Sequence, residues 1–197
     1  TRFLLIAVVI VLVSYLTFFL TSLAYGLATS YTQGLDAWNS TGIILSEDAN
    51  DSIVRSRITA SEYTEVYDEN TMALLGAGGA TAELNEQQEV AVFGIEVDSF
   101  LLPEITEGKS PQDQREVVVD ESFKQDGLTL GGELSLKGAS DSYTVVGFIK
   151  NATFQTQPIV YMELGEWRVA MAETLGMTSM RDDTTVSAII TKDEPAI

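Results

Sequence analysis

The 197 residues contain no histidine and no cysteine. The groups that most often move protons near neutral pH, attack as thiolates or bind zinc are therefore missing from the chain. Carboxylates, Ser, Lys and Tyr remain. Acidic residues number 29 against 11 Lys and Arg, a net charge of −18, but abundance alone does not make a site. Asp182 and Asp183 are sequence neighbours and read as a solvated pair. The run SEDANDS at 46–52 has the scattered acids of a calcium loop without its glycine or closing glutamate, so it reads as a loop. Gly76, Gly78 and Gly79 of GAGGA invite a phosphate-loop reading. No Lys-Ser/Thr pair follows them, and GxxxxGK[ST] occurs nowhere, so a glycine-rich strand or bulge is expected. GxSxG and SxxK are also absent. The chain reads as non-enzymatic. Its three N-x-S/T sequons, at Asn39, Asn50 and Asn151, read as chance.

Charge is distributed very unevenly. From Phe3 to Gly34 there is no charged side chain. A membrane-spanning helix needs about 20 mostly apolar residues, and Phe3 to Leu23 alone meets that length. Its polar members are Ser14, Tyr15, Thr17, Thr21 and Ser22. Their hydroxyls can bond back to the helix backbone, which keeps their cost in lipid low. Tyr25 and Tyr31 sit where an interfacial aromatic belt belongs, with Trp38 a little beyond. Ser22 and Gly26, four apart, form a small-xxx-small pattern that would let another helix approach closely. Ala24-Tyr25-Gly26 would suit signal cleavage, but the apolar run exceeds a signal peptide's 7–15 residues. A pilin stalk would carry a glutamate near its start. A retained anchor over residues 1–34 is expected. Arg2 precedes the span and the next basic residue is Arg55, so the N-terminus is expected in the cytoplasm and residues 35–197 outside. Thr1 in place of methionine and the closing run DEPAI read as the ends of a fragment.

The acidic remainder is long enough for one core or two small subdomains, and its charge argues against nucleic acid as a partner. Strands are expected over 41–45 (TGIIL), 89–97 (EVAVFGIEV), 116–119 (EVVV), 128–130, 133–136, 143–149, 159–162 and 185–191. A short helix is expected at 61–67, capped by Thr59 or Ser61, and another after Asp120. Residues 105–114 read as a loop. The run 163–175 is amphipathic, with Leu164, Trp167, Met171 and Leu175 on one face and Gly176 as C-cap. Close antiparallel strands with glycine turns, over 128–162, indicate a small barrel or sandwich-like sheet.

These elements come in a familiar order. The stretch EGKSPQDQREVVVDESFKQDGLTLGGELSLKGASDSYTVVGFIKNATFQTQPIVYMEL resembles the extracytoplasmic core domain of MacB/FtsX-type ABC transporter permeases. The matching positions are Gly108, Val117–Val119, Asp120, Gly127-Leu128, Gly131 and Val145-Val146-Gly147-Phe148. Gly132 departs from the aspartate common there. SYLTFFLTSLAYGLA and LDAWNSTGIILSEDAN are similar to the first membrane helix and following strand of HrtB-like permeases, the haem-exporter branch. The resemblance implies an α+β chain: one N-terminal transmembrane helix, then a MacB-like extracytoplasmic domain of mixed small sheets and short helices, in a bacterial cell membrane. Such permeases continue with three further membrane helices. The resemblance further implies a separate cytoplasmic ABC ATPase subunit, a second permease copy, membrane lipid around the helix, and haem or another amphipathic compound as cargo. No cofactor belongs to the chain itself. Without His or Cys, haem iron would need Tyr, Met or a carboxylate. Tyr25 and Tyr31 at the helix end, Trp38 for stacking, and Tyr161 and Met162 after the family's "P-V-V-Y"-like strand are the candidate contacts. Interfacial anchoring of the first three and strand packing of the last two are the competing readings. Rival functions are the sensor part of a membrane receptor, a singly anchored binding protein, and a permease for antimicrobial peptides or lipoproteins.

Overall fold

The computed structural model describes residues 2–36, 38, 40–176 and 184–192, and the side chains of residues 4, 5 and 24–36 lie outside that description. Helix α1 (Arg2–Asp36) opens the chain. Its window Ile6–Leu23 has mean hydropathy 2.5 with none of it buried, so it is long and apolar enough to cross a membrane. Thr17 Oγ1 donates to Val13 O at 2.8 Å and Thr21 Oγ1 to Thr17 O at 2.9 Å. The span thus satisfies these hydroxyls internally, as lipid requires.

Ten strands follow: β1 (Gly42–Ile44), β2 (Met72–Glu83), β3 (Gln87–Ile95), β4 (Ile105–Gly108), β5 (Glu116–Asp120), β6 (Glu133–Leu136), β7 (Ser142–Ile149), β8 (Thr153–Phe154), β9 (Gln157–Glu163) and β10 (Ala188–Thr191). Helices α2 (Ala60–Tyr63) and α3 (Leu164–Thr174) complete the set. The main order is β1-β10-β2-β3-β9-β5-β7-β4, with β8 paired to β9. β6 pairs both β7 and the far end of β2, through Ala82 and Glu83. Pairing therefore closes a ring, β2-β3-β9-β5-β7-β6, in keeping with the expected small barrel. β2 can serve this ring because its length lets it carry β10 at one end and β6 at the other. The close antiparallel strands expected are not the whole sheet: β3–β9 and β5–β7 are parallel.

Residues alternate between two apolar faces, as the two-residue strand period demands. Val90, Val92, Val160, Met162, Val117 and Val119 share one cluster with α3. Ala91, Phe93, Ile95, Ile159, Tyr161 and Val118 share the other with Trp38. Both faces of the central strands are buried, which explains their near-continuous Val/Ile/Phe runs.

Local chemistry sets the short elements. The Thr59 hydroxyl and backbone N–H both donate to Glu62 Oε2, at 2.6 and 2.7 Å, and hold the Glu62 carboxyl below its usual pKa. Asp120 caps the 3-10 turn at 121–124, its Oδ1 accepting from Ser122 N–H at 2.9 Å. Glu163 caps α3, its Oε2 accepting from Glu166 N–H at 3.0 Å, and Gly176 follows at φ +65°. Two expectations are corrected. Part of the expected loop 105–114 is strand β4, an edge strand with a register shift and exposed side chains, so it lacks the apolar alternation that would announce it. Residues 128–130 form no strand: Leu128 N–H bonds back to Phe123 O and Gly132 N–H to Thr129 O, closing turns instead.

The glycine-rich segment is strand β2, and the glycines make room for a helix. Gly76 pairs with Gly94 of β3, and the Trp167 ring lies where a Cβ on either would stand. A Cβ on Gly78 would lie 2.6 Å from Met171 Sδ. We predict that Gly94→Ala lowers stability by about 3 kcal/mol, by overpacking a buried ring. Gly131→Ala, at φ +78° with open space around it, should cost about 1–2 kcal/mol from backbone strain alone. Denaturant unfolding of the purified chain checks both.

Candidate functional site

The feature that sets this chain apart from a free domain is the junction where α1 enters it. α1 ends at Asp36, and Trp38 is already in the core, only 2% exposed. Its ring meets Phe93 at 5.8 Å between centroids. Phe93 also meets Phe154 at 5.3 Å and Tyr161 at 5.8 Å, both edge to face. Sheet geometry makes this cluster: Phe93 and Tyr161 are register partners on parallel β3 and β9, and their side chains share a face. Phe154 comes from β8, and α1 itself runs against β8.

The seat is apolar and imperfectly satisfied. Neither Trp38 Nε1 nor Tyr161 OH has a well-formed hydrogen bond. The two groups do face each other: burial pushes the Tyr161 phenol above its usual pKa, the neighbouring Trp38 N–H pulls it down, and Asp120 raises it further. The other buried indole differs, since Trp167 Nε1 donates to Val92 O at 3.1 Å. Trp38 is held by contact area, worth about 1.5–3 kcal/mol for a large apolar side chain, against a penalty of about 1–3 kcal/mol for an orphaned donor.

A second feature is a cleft of about 650 Å³ at the sheet's rim, whose lining includes Tyr67, Glu69, Glu96, Asp98, Phe100 and Lys192. Tyr67 OH donates to Glu96 Oε2 at 3.0 Å. Burial and that acceptor push the Tyr67 pKa up to about 12. Lys192 Nζ lies 4.3 Å from the Phe100 ring centre. Among the described residues no cluster of His, Cys, Asp or Glu is placed to hold a metal.

The sequence-derived candidates separate. Tyr161 and Met162 are fully buried on opposite faces of β9, so neither offers a surface to a cargo, and strand packing accounts for both. Trp38 is neither at an interface nor open for stacking, because the chain turns it into the core. Ser22 is exposed on α1. Tyr25, Gly26 and Tyr31 lie on α1, with side chains outside the described residues. Asn39, Asp182 and Asp183 are outside the described residues as well. Sequence reasoning missed the role of Trp38 as a core residue. The available signal was its position: an aromatic just past a charged helix end, before a β-branched run.

No protein-family model matches the chain. Two strains of Staphylococcus epidermidis have a protein provisionally named hemin transport system permease protein HrtB, 26% identical over 165 residues and covering 82% of this chain and 46% of the relative. The same-named protein of Staphylococcus haemolyticus is 23% identical over 164 residues, with the same coverage. The chain thus spans about half the length of the curated relatives it matches. Among solved structures, the extracellular domain of the ABC-type transporter YknZ from Gram-positive bacteria matches at TM-score 0.53 and 13% identity, covering 78% of this chain and 83% of that one. The periplasmic region of MacB from Actinobacillus actinomycetemcomitans matches at TM-score 0.52 and 14% identity, covering 79% and 74%.

The junction yields a prediction. Tyr161→Phe removes a hydroxyl without a good partner and should change stability by less than about 1 kcal/mol. Tyr143→Phe removes the donor to Glu166 Oε1 at 3.2 Å and strands a half-buried carboxylate, at a cost of about 1–3 kcal/mol. Chemical unfolding of the two variants side by side distinguishes them. In sequence the chain is similar to HrtB-named transport permeases, and the mixed sheet with few helices that follows its apolar N-terminal helix has the fold of the MacB and YknZ extracellular domains.

Proposed function

We propose that this chain forms the first membrane helix and outer domain of the permease subunit of an ABC exporter. The observation that carries the reading is the similarity to HrtB-named permeases across 82% of the chain. ATP hydrolysis would belong to a separate cytoplasmic ATPase, and two permease copies would line the path. The N-terminus lies in the cytoplasm and the acidic domain outside, as Arg2 before the span and the lack of basic residues until Arg55 suggest. The outer domain couples movement of the membrane helices to the opening of an exit.

The cargo is haem or another compound with an apolar body and charged edge. Haem is favoured by the name of the relatives alone. Of the candidate contacts, Tyr25 and Tyr31 on α1 fit this role better than Trp38, Tyr161 and Met162, which are enclosed in the domain core.

The test is to express the full-length permease with its ATPase in a haem-sensitive bacterium and follow survival and cell-associated haem during haem challenge. Protection that disappears with a hydrolysis-dead ATPase is expected. Unchanged haem sensitivity in cells holding the assembled complex would remove haem as cargo and turn the search to peptides and lipoproteins.

A further inference from the structure

The junction is short. From Asp36, the last residue of α1, to Trp38 in the core is two residues, ~7 Å at full extension. Three residues further on, Thr41 N–H donates to Thr191 O at 2.8 Å, tying the start of β1 to β10. The end of α1 therefore has little slack. A larger displacement of the helix end must either carry the sheet with it or pull Trp38 from its seat.

The seat lies at the middle of the domain. Trp38 packs on Phe93, whose strand β3 also meets α3 through Gly94 and Trp167 on the opposite face. A push on Trp38 thus reaches a strand buried on both faces, and close-packed interiors transmit displacement instead of absorbing it. The orphaned indole N–H adds to this. An apolar ring would fill the seat without burying an unpartnered donor, so what the tryptophan supplies is reach and stiffness. Hydrogen bonding does not account for its presence.

We propose that Trp38 is the positioning residue that locks α1 to the outer domain, so that the two move as one body during the transport cycle. This rests on the permease reading above, and it assigns the coupling to one side chain. β8 supports the lock from the side of Phe154.

The experiment measures the distance between spin labels at Leu23→Cys on α1 and Glu86→Cys in the β2–β3 turn, both exposed, in the full-length permease assembled with its ATPase. Nucleotide-free and vanadate-trapped states are compared. With Trp38 intact, one narrow distance is expected in both states. Trp38→Phe should keep it. Trp38→Ala should broaden the distribution at least twofold. Insertion of two glycines between Asp36 and Ala37 should broaden it equally while leaving the melting temperature within two degrees or so of the parent, because the seat stays filled; a merely structural Trp38 would not respond in this way. The proposal is overturned by a distance that changes between the two states with Trp38 intact, or by variants whose distributions match the parent. Should Trp38→Ala fail to assemble, the insertion variant alone decides. Failure of the permease to assemble with any ATPase would instead overturn the permease reading, and the distance in the isolated full-length chain would still test the lock.

Discussion

Trp167 lies flat against two glycines that face each other on adjacent strands, and the domain is built around that contact. The absence of side chains at Gly76 and Gly94 lets α3 sit close enough to bury Leu164, Trp167, Ala170 and Met171, while Leu175, expected on the same face, lies past the helix end and is half exposed. The indole N–H then reaches Val92 O, so the ring is fixed in position as well as excluded from water. β9 runs directly into α3, with Glu163 ending the strand and capping the helix. Placement of the tryptophan therefore also places the parallel β3–β9 pair. That pair in turn presents Phe93 and Tyr161 on the far face, where they receive Trp38.

The two tryptophans show two ways of using the same side chain. Trp167 is satisfied in shape and in hydrogen bonding. Trp38 is satisfied in shape only, and it stands two residues from a helix with no buried side chain along its membrane-length window. A buried indole without a partner is an uneconomical way to fill a core. It is a reasonable way to fasten a rod to a body, because the ring has few torsions and a large contact area.

Much of this was legible in the sequence, and the boundary is physical. Strands with near-continuous apolar runs, such as β3 and β9, announce themselves because both faces are buried. The caps at Thr59, Asp120, Glu163 and Gly176 are local chemistry, and all but Glu163 were read from the local pattern. GAGGA was correctly a strand, but the reason for its glycines lies ninety residues away on α3. The edge strand β4 was missed because an exposed edge needs no apolar pattern. Parallel pairing and the closed ring depend on which strands meet, which no local window contains. Trp38 misled for the same reason: an aromatic near a membrane helix suits an interface equally well until its neighbours in space are known. The resemblance to permeases was legible through spaced glycine, valine and acid positions. Those positions proved to be turns and buried strand residues, so they report the fold and leave the cargo open.

The account depends on the acidic domain lying outside a membrane that α1 crosses. The 197 residues contain no cysteine, so single cysteines can report this in intact bacteria expressing the full-length chain. The decisive measurement is labelling by a membrane-impermeant maleimide at Glu86→Cys in the domain and at Phe3→Cys at the head of the helix, both exposed and both leaving Arg2 in place. The account predicts that the first labels in intact cells and the second only after lysis. Labelling at the second position alone, or at neither until lysis, would contradict it.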